Sequence, residues 1–312
     1  VIPDKTVMPS PSLTRYAWLS IAAAIATILL KGVAWWLTGS VGLLSDAIES
    51  FVNLAGALMA LWMLTLAALP ADDDHAHGHG KAEYFSSAFE GFLILLAAVS
   101  IGYTAIDRLL HPQPLEAVAA GLLVSVVASV INFATARILM RVGRAQHSIT
   151  LEADAHHLMT DVWTSVGVVL GVMLVALTGW LRLDPIIAFL VGLNIIWTGY
   201  HLISQSVDGL MDRAFPTEDA DAVVATLQEF ATSEVHFHGV RTREAGHQRF
   251  ISMHMLVPGE WSVQRGHDLA EQVEARLGER FEHVDVDVHI EPSEDPRSFE
   301  AGLVGLQVPP TS

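Results

Sequence analysis

Residues 41–69 read VGLLSDAIESFVNLAGALMALWMLTLAAL, and the only charges among them are Asp46 and Glu49. A helix needs about 20 apolar residues to cross the hydrocarbon core of a bilayer, so this stretch predicts a membrane-spanning helix. Its polar groups are not scattered: Asp46, Glu49 and Asn53 stand at i, i+3 and i+7 and share one helix face. A carboxylate at bilayer depth costs about 3 kcal/mol on insertion scales, which makes such groups functional candidates by default.

Five more apolar segments flank this one. Together the six cover 13–37, 41–69, 84–110, 115–141, 150–178 and 184–209. Thr38, Gly39 and Ser40 make the first turn, Pro112 and Pro114 break the chain between segments three and four, and Gly179 and Pro185 flank the last connection. Residues 1–12 are polar and Pro-rich and read as an N-terminal tail. The first apolar run is too long for a cleavable signal and lacks a small-residue cleavage site. Lys5, Arg15, Lys81, Arg137, Arg141, Arg144 and Arg213 fall on one side of the bundle, and Arg108 and Arg182 on the other. The positive-inside rule then predicts both termini in the cytoplasm, in a multi-pass protein of a bacterial plasma (inner) membrane.

Composition agrees with a bilayer partner. The 312 residues are 52% hydrophobic and 16% charged, against about 25% charge in soluble domains. The net charge of −17 divides into −6 over residues 1–215 and −11 over residues 216–312. The second part therefore reads as a separate, acidic, soluble unit. It lacks the basic footprint that nucleic acid requires. There is no cysteine, so any metal site must use His, carboxylate, amide or water ligands; 7 of the 15 His lie beyond residue 215.

Segment five holds Glu152, Asp154, His156, His157 and Asp161, with Asp154, His157 and Asp161 repeating the i, i+3, i+7 spacing. If the polar faces of segments two and five meet, Glu49, Asn53, His157 and Asp161 can supply four ligands from two i, i+4 pairs. Oxygen and imidazole ligands in a compact shell suit Zn²⁺ and its neighbours. Interhelical hydrogen bonding is the alternative role for the same groups. The loop between segments two and three, DDDHAHGHGK at 72–81, holds three Asp and three His. Such a loop suits a divalent cation or a solvated linker equally well.

Residues 216–292 predict a small α+β domain of αββαβ order, a ferredoxin-like split sandwich. Thr217 is placed to cap a helix over 218–231. Residues 235–243 and 249–257 read as strands around Glu244–Ala245–Gly246–His247, residues 262–280 as an amphipathic helix, and 284–290 as a third strand with Val284, Val286, Val288 and Ile290 on one face. Residues 293–312 read as a flexible tail. His238, His254, His289 and Glu291 lie on or beside the strands and His267 on the helix, a grouping that suits a metal cluster.

The sequence resembles the cation diffusion facilitators, in particular the bacterial zinc/proton antiporters of that family. The stretches that carry the likeness are GLLSDAIESFVN at 42–53, PADDDHAHGHGKAE at 70–83 and HLMTD at 157–161, extended by LMDRA at 210–214 and VRTR at 240–243. The resemblance implies a Y-shaped homodimer of six-helix subunits (residues 13–215) with a cytoplasmic metal-binding domain (216–292). It implies a transport site at Glu49, Asn53, His157 and Asp161. It also implies a loop site at Asp72, His75 and His79, and a binuclear cytoplasmic site at His238, His254, His267, His289 and Glu291. Lys81 and Asp212 match a charged interlock near the dimer interface. The chain departs from the family at positions 49 and 53, where zinc members place Asp or His and then Asp. Asn53 is neutral and takes no proton, and Asp46, on the same face, is an alternative ligand.

The function expected is efflux of a divalent transition metal, Zn²⁺ in exchange for protons, by alternating access; Mn²⁺, Fe²⁺ and Cd²⁺ are the alternative cargoes. An intramembrane metalloenzyme is disfavoured, since no HExxH-type pattern or separate general base stands out. A membrane metal sensor or scaffold that keeps the ligands without transport is the remaining rival.

Overall fold

Among the described residues, six helices are long and apolar enough to cross a membrane. In the computed structural model they are α1 (Thr14–Thr38), α2 (Val41–Ala67), α3 (Ala82–Leu110), α4 (Val118–Ala145), α5 (Ile149–Thr178) and α6 (Leu183–Leu210). The structure describes residues 13–38, 41–111, 118–299, 305, 306 and 308, without the side chains at 38, 41–49, 118–122, 172 and 176. The six expected segments are thus present, and α4 runs one turn beyond its expected end. The expected N-terminal tail, the start of segment four at 115–117 and most of the C-terminal tail lie outside the described residues.

Apolar side chains face outward in this unit. Trp18, Trp36, Trp62, Tyr103, Leu177 and Trp197 are each more than half exposed, as a lipid-facing surface requires and a water-facing one rarely tolerates. The polar groups turn inward: Ser20, Asn53, Glu83, Glu90, Asn132, Asp154 and His157 are all buried. Small residues let helices approach closely. A Cβ at Gly91 of α3 would stand 3.1 Å from the Gly199 carbonyl of α6, and one at Gly199 would stand 3.0 Å from the Gly91 carbonyl.

The start of α5 is held from α3. Ser148, its extended N-cap, makes no side-chain cap of its own. Instead its hydroxyl donates to Glu83 Oε2, which also accepts from the Thr150 amide at 3.4 Å. A buried carboxylate thus sits on the positive end of α5. The helix stops at Gly179, whose φ of +72° gives the left-handed termination.

The chain divides into two compact units, residues 1–207 and 208–312. The second contains α7 (Thr217–Gln228), β1 (His236–Ala245), β2 (Gln248–Val257), α8 (Val263–Arg280) and β3 (Val284–Pro292). The sheet order is β1-β2-β3, antiparallel between β1 and β2 and parallel between β2 and β3. This is the αββαβ order expected. Gly246, at φ +61°, opens the two-residue hairpin loop, the position where a type II′ turn needs glycine. Val223, Leu227, Val273 and Leu277 from the helices meet Phe237, Ile251, Met253 and Met255 from the sheet in one core. Thr217 does not cap α7. It is the first helical residue, and Pro216 occupies the cap without a side-chain bond; proline at this boundary lacks the N–H that a further turn would need. Within the stretch read as a tail, Pro296–Phe299 form a 3₁₀ turn, and Leu306 donates its amide to the Val240 carbonyl at 2.8 Å.

Candidate metal centres

The interior cluster of the membrane unit draws on four helices. Asn53 comes from α2, Glu90 from α3, Asn132 from α4, and His157 and Asp161 from α5. Asn53 Nδ2 donates to Asp161 Oδ2, and Asn132 Nδ2 donates to the same oxygen at 3.0 Å. A carboxylate only accepts, so the Asn53 amide must turn its oxygen the other way. That oxygen lies 2.8 Å from His157 Nε2, and Nε2 therefore carries the hydrogen in this arrangement. On the opposite edge of the ring, Nδ1 lies 3.2 Å from Glu90 Oε2. Of the four ligands expected from sequence, the structure brings Asn53, His157 and Asp161 together. The Glu49 and Asp46 side chains lie outside the described residues.

Glu90 and Asn132 are absent from the sequence reading, although the rule that flagged α2 and α5 applies to Glu90 as well: it is a carboxylate in mid-segment. Helical spacing offered a signal as well, since Glu83, Ser87 and Glu90 share one face of α3 and Ser125, Ser129 and Asn132 one face of α4. Asp154, one turn before His157, is 1% exposed.

The loop cluster is compact, with Asp72 and His75 exposed and the His79 side chain nearly buried. Asp72 Oδ1 accepts from the His75 amide at 2.6 Å and the Asp74 amide at 3.0 Å. His75 Nδ1 stands 3.2 Å and His79 Nε2 3.4 Å from the same carboxylate. One ligand atom from each of the three residues falls within 4.8 Å of the others. The His75 amide, with smaller help from both histidine rings, holds the Asp72 carboxyl below its usual value.

The third cluster is built by strand register. His238, His254 and His289 are paired neighbours across β1, β2 and β3. They lie on the face opposite the core, because Met253, Met255, Val288 and Ile290 pack on the other side. Glu291, two residues along β3, turns in among them: 3.1 Å from His238 Nε2, 3.0 Å from His254 Nδ1 and 3.5 Å from His289 Nε2. Gly239, at φ +58°, lies in the β1 irregularity next to His238, and Phe299 stacks on that ring at 6.1 Å. His267 faces Glu271 of its own helix at 3.8 Å and is not one of the His238–His254–Glu291 group.

Six spanning helices with polar groups gathered in their interior, followed by a small sheet domain that carries a histidine row, define a multi-pass membrane protein with ligand sets suited to divalent cations. Residues 17–211 match the family model for the cation efflux transmembrane domain, and residues 215–293 match that for the cation efflux protein cytoplasmic domain. The chain belongs to the cation efflux family, the cation diffusion facilitators, and is a cation efflux transporter. It is 52% identical to an uncharacterized transporter of Synechocystis sp. over 91% of this chain and 92% of that one. It is 32% identical to the cation-efflux pump FieF of Klebsiella pneumoniae over 90% of this chain and 93% of that one. Among solved structures, the metal-bound C-terminal domain of the CzcD transporter from Thermotoga maritima is 30% identical, covering 26% of this chain and 99% of that one at a TM-score of 0.24.

Proposed function

We propose that this chain is a homodimeric Zn²⁺ exporter of the bacterial plasma membrane, with both termini cytoplasmic, that exchanges the metal for protons by alternating access. The observation that carries this reading is the buried contact of α2 with α5, where Asn53, His157 and Asp161 interlock. Two oxygen ligands and one imidazole, with Glu49 one turn away on α2, make the mixed N/O set that Zn²⁺ accepts. His157 Nε2 is held by a proton where a cation would need its lone pair. Metal entry from the cytoplasm therefore expels that proton, and a proton arriving from outside displaces the metal. Asp161 releases two amide N–H groups when it turns to the cation.

The neutral amide at position 53 makes the set richer in hard oxygen than a two-carboxylate, one-histidine shell, so Mn²⁺ and Fe²⁺ are the cargo alternatives with a specific basis; Cd²⁺ shares the soft end with Zn²⁺. The loop cluster and the His238–His254–Glu291 cluster fit the role of cytoplasmic metal sensors, with His267 and His289 completing the second as a binuclear site. Metal there neutralises part of the −11 charge of residues 216–312 and draws two such domains together.

The test is flux of Zn²⁺, Cd²⁺, Mn²⁺ and Fe²⁺ into proteoliposomes under an imposed pH gradient. Gradient-dependent flux of Zn²⁺ that disappears in Asp161→Asn is the expected result. Full Zn²⁺ flux in that variant would overturn the site. Retained metal binding without flux of any ion would favour the sensor reading.

A further inference from the structure

Among the buried carboxylates that the transport site as read from sequence does not use, Glu83, Glu90 and Asp154, Glu90 stands against a ligand of that site. Glu90 of α3 is fully buried. Neither of its carboxylate oxygens has a hydrogen-bond partner among the described residues. His157 Nδ1 stands 3.2 Å from Oε2, an ion-pair distance without hydrogen-bond alignment, since Nδ1 has no hydrogen-bond partner either. The room for it is provided by α2. A Cβ at Gly56 would stand 2.5 Å from Glu90 Oε1 and 2.9 Å from the carboxyl carbon, so only glycine leaves the carboxylate where it is. Gly56 follows Asn53 by one turn of α2, which puts the notch directly beside the site.

A buried, unsolvated carboxylate inside a membrane unit is costly and is by default a functional candidate. Here there is a specific need for its charge. Asn53 contributes an amide where the family pattern has a carboxylate, so the α2–α5 ligand set is short of negative charge for a divalent ion. The ring of His157 has two nitrogens, and a metal can take one only if the other is held. Asn53 and Asp161 lie toward Nε2, and Glu90 lies toward Nδ1.

We propose that Glu90 is the positioning carboxylate of the transport site: when the cargo ion takes Nε2 of His157 and the ring hydrogen lies on Nδ1, Glu90 accepts that hydrogen, keeps Nε2 aimed at the ion, and supplies from α3 the charge that Asn53 withholds on α2. The inference rests on the site proposed above. The carboxylate–histidine–metal arrangement fixes the imidazole tautomer, raises its basicity toward the metal and offsets part of the cation's charge without contacting it. It also gives α3 a stake in site geometry, since a shift of α3 against α5 changes how His157 is held.

The test is Zn²⁺ transport by the full chain in proteoliposomes, reading half-saturating Zn²⁺ and maximal rate separately. Glu90→Gln keeps the shape and removes the charge. It is expected to raise half-saturating Zn²⁺ by about 10- to 100-fold, the usual cost of losing such a partner. Adding Asn53→Asp in the same chain puts a carboxylate back on α2 and is expected to recover most of that loss. A purely structural Glu90 gives no such rescue. Unchanged half-saturation in Glu90→Gln, a loss of rate alone, or a defect that Asn53→Asp leaves as it was would each overturn the proposal. Should Glu90→Gln not fold, Gly56→Ala carries the same test by displacing the carboxylate without removing it. If the unaltered protein moves no Zn²⁺, the transport reading itself fails; if it does and Glu90→Gln is indifferent, only this inference fails.

Discussion

The interior cluster of the membrane unit and the histidine row on the sheet use nearly the same chemistry, imidazole beside carboxylate, yet they are held in opposite ways. Inside, Asn53, Glu90 and His157 are 4%, 0% and 5% exposed, so each polar atom depends on its neighbours. On the sheet, the His238, His254 and His289 side chains are 21%, 30% and 68% exposed, so water reaches each ring, although the His254 Nδ1 atom is itself buried. The interior geometry is set by tertiary contact among four helices. The sheet geometry is set by register alone, because pairing His238 with His254 and His254 with His289 places three rings in a row whatever surrounds them. An interior cluster built this way is tied to the position of its helices, as the proposed alternating-access site would require. A register-built cluster on a rigid sheet binds without that coupling.

The largest effect should come from a matched pair of substitutions. His157→Gln removes the ring that joins α5 to both Asn53 and Glu90. Zn²⁺ flux in proteoliposomes is expected to fall by about 100-fold or more, beyond the usual loss from an outer partner. His254→Gln removes the middle ring of the row, which lies 3.0 Å from Glu291. It is expected to lower the number of Zn²⁺ ions bound at equilibrium and to reduce flux far less than His157→Gln does. Equal losses of flux in the two variants would erase the distinction between a coupled and an uncoupled cluster.

How much was legible in the sequence follows the same division. The six spans follow from length and apolarity, and β3 from strict alternation; both are local signals. The pairing of His157 with Asp161 follows from helical spacing, and the meeting of α2 with α5 could be guessed because both carry polar stripes. Glu90 and Asn132 follow this logic only in part. Each stands in a polar row at helical spacing, Glu83, Ser87 and Glu90 on α3 and Ser125, Ser129 and Asn132 on α4, but their convergence on α5 is a fact of packing that no one-dimensional period encodes. His267 shows the converse. Its helical position places it on a face of α8, and it pairs there with Glu271. The failed cap at Thr217 is a one-residue matter, since Pro216 takes the boundary.

The smallest effect expected is in the loop, and it sharpens the contrast because this cluster has neither helix packing nor strand register to hold it. Its frame is the turn in which Asp72 Oδ1 accepts the His75 amide at 2.6 Å. That bond and the two nearby rings hold the Asp72 carboxyl below its ordinary 3.8. A carboxyl depressed by folding stabilises the folded turn fully above its unfolded value, and the contribution is lost as pH falls through the lower, folded value. The loop should therefore stay ordered through mild acid and loosen only below the ordinary carboxylate range. Asp72→Asn keeps an oxygen for the His75 amide but has no charge to lose, so its turn should show no such acid transition. Amide hydrogen exchange of the peptide containing residues 70–81, read as the ratio of wild type to Asp72→Asn at each pH, isolates this step from the intrinsic pH dependence of exchange. A ratio that does not change as the pH falls would mean that the carboxylate charge does not hold the turn, and that the three ligands of the loop are brought together by backbone conformation alone.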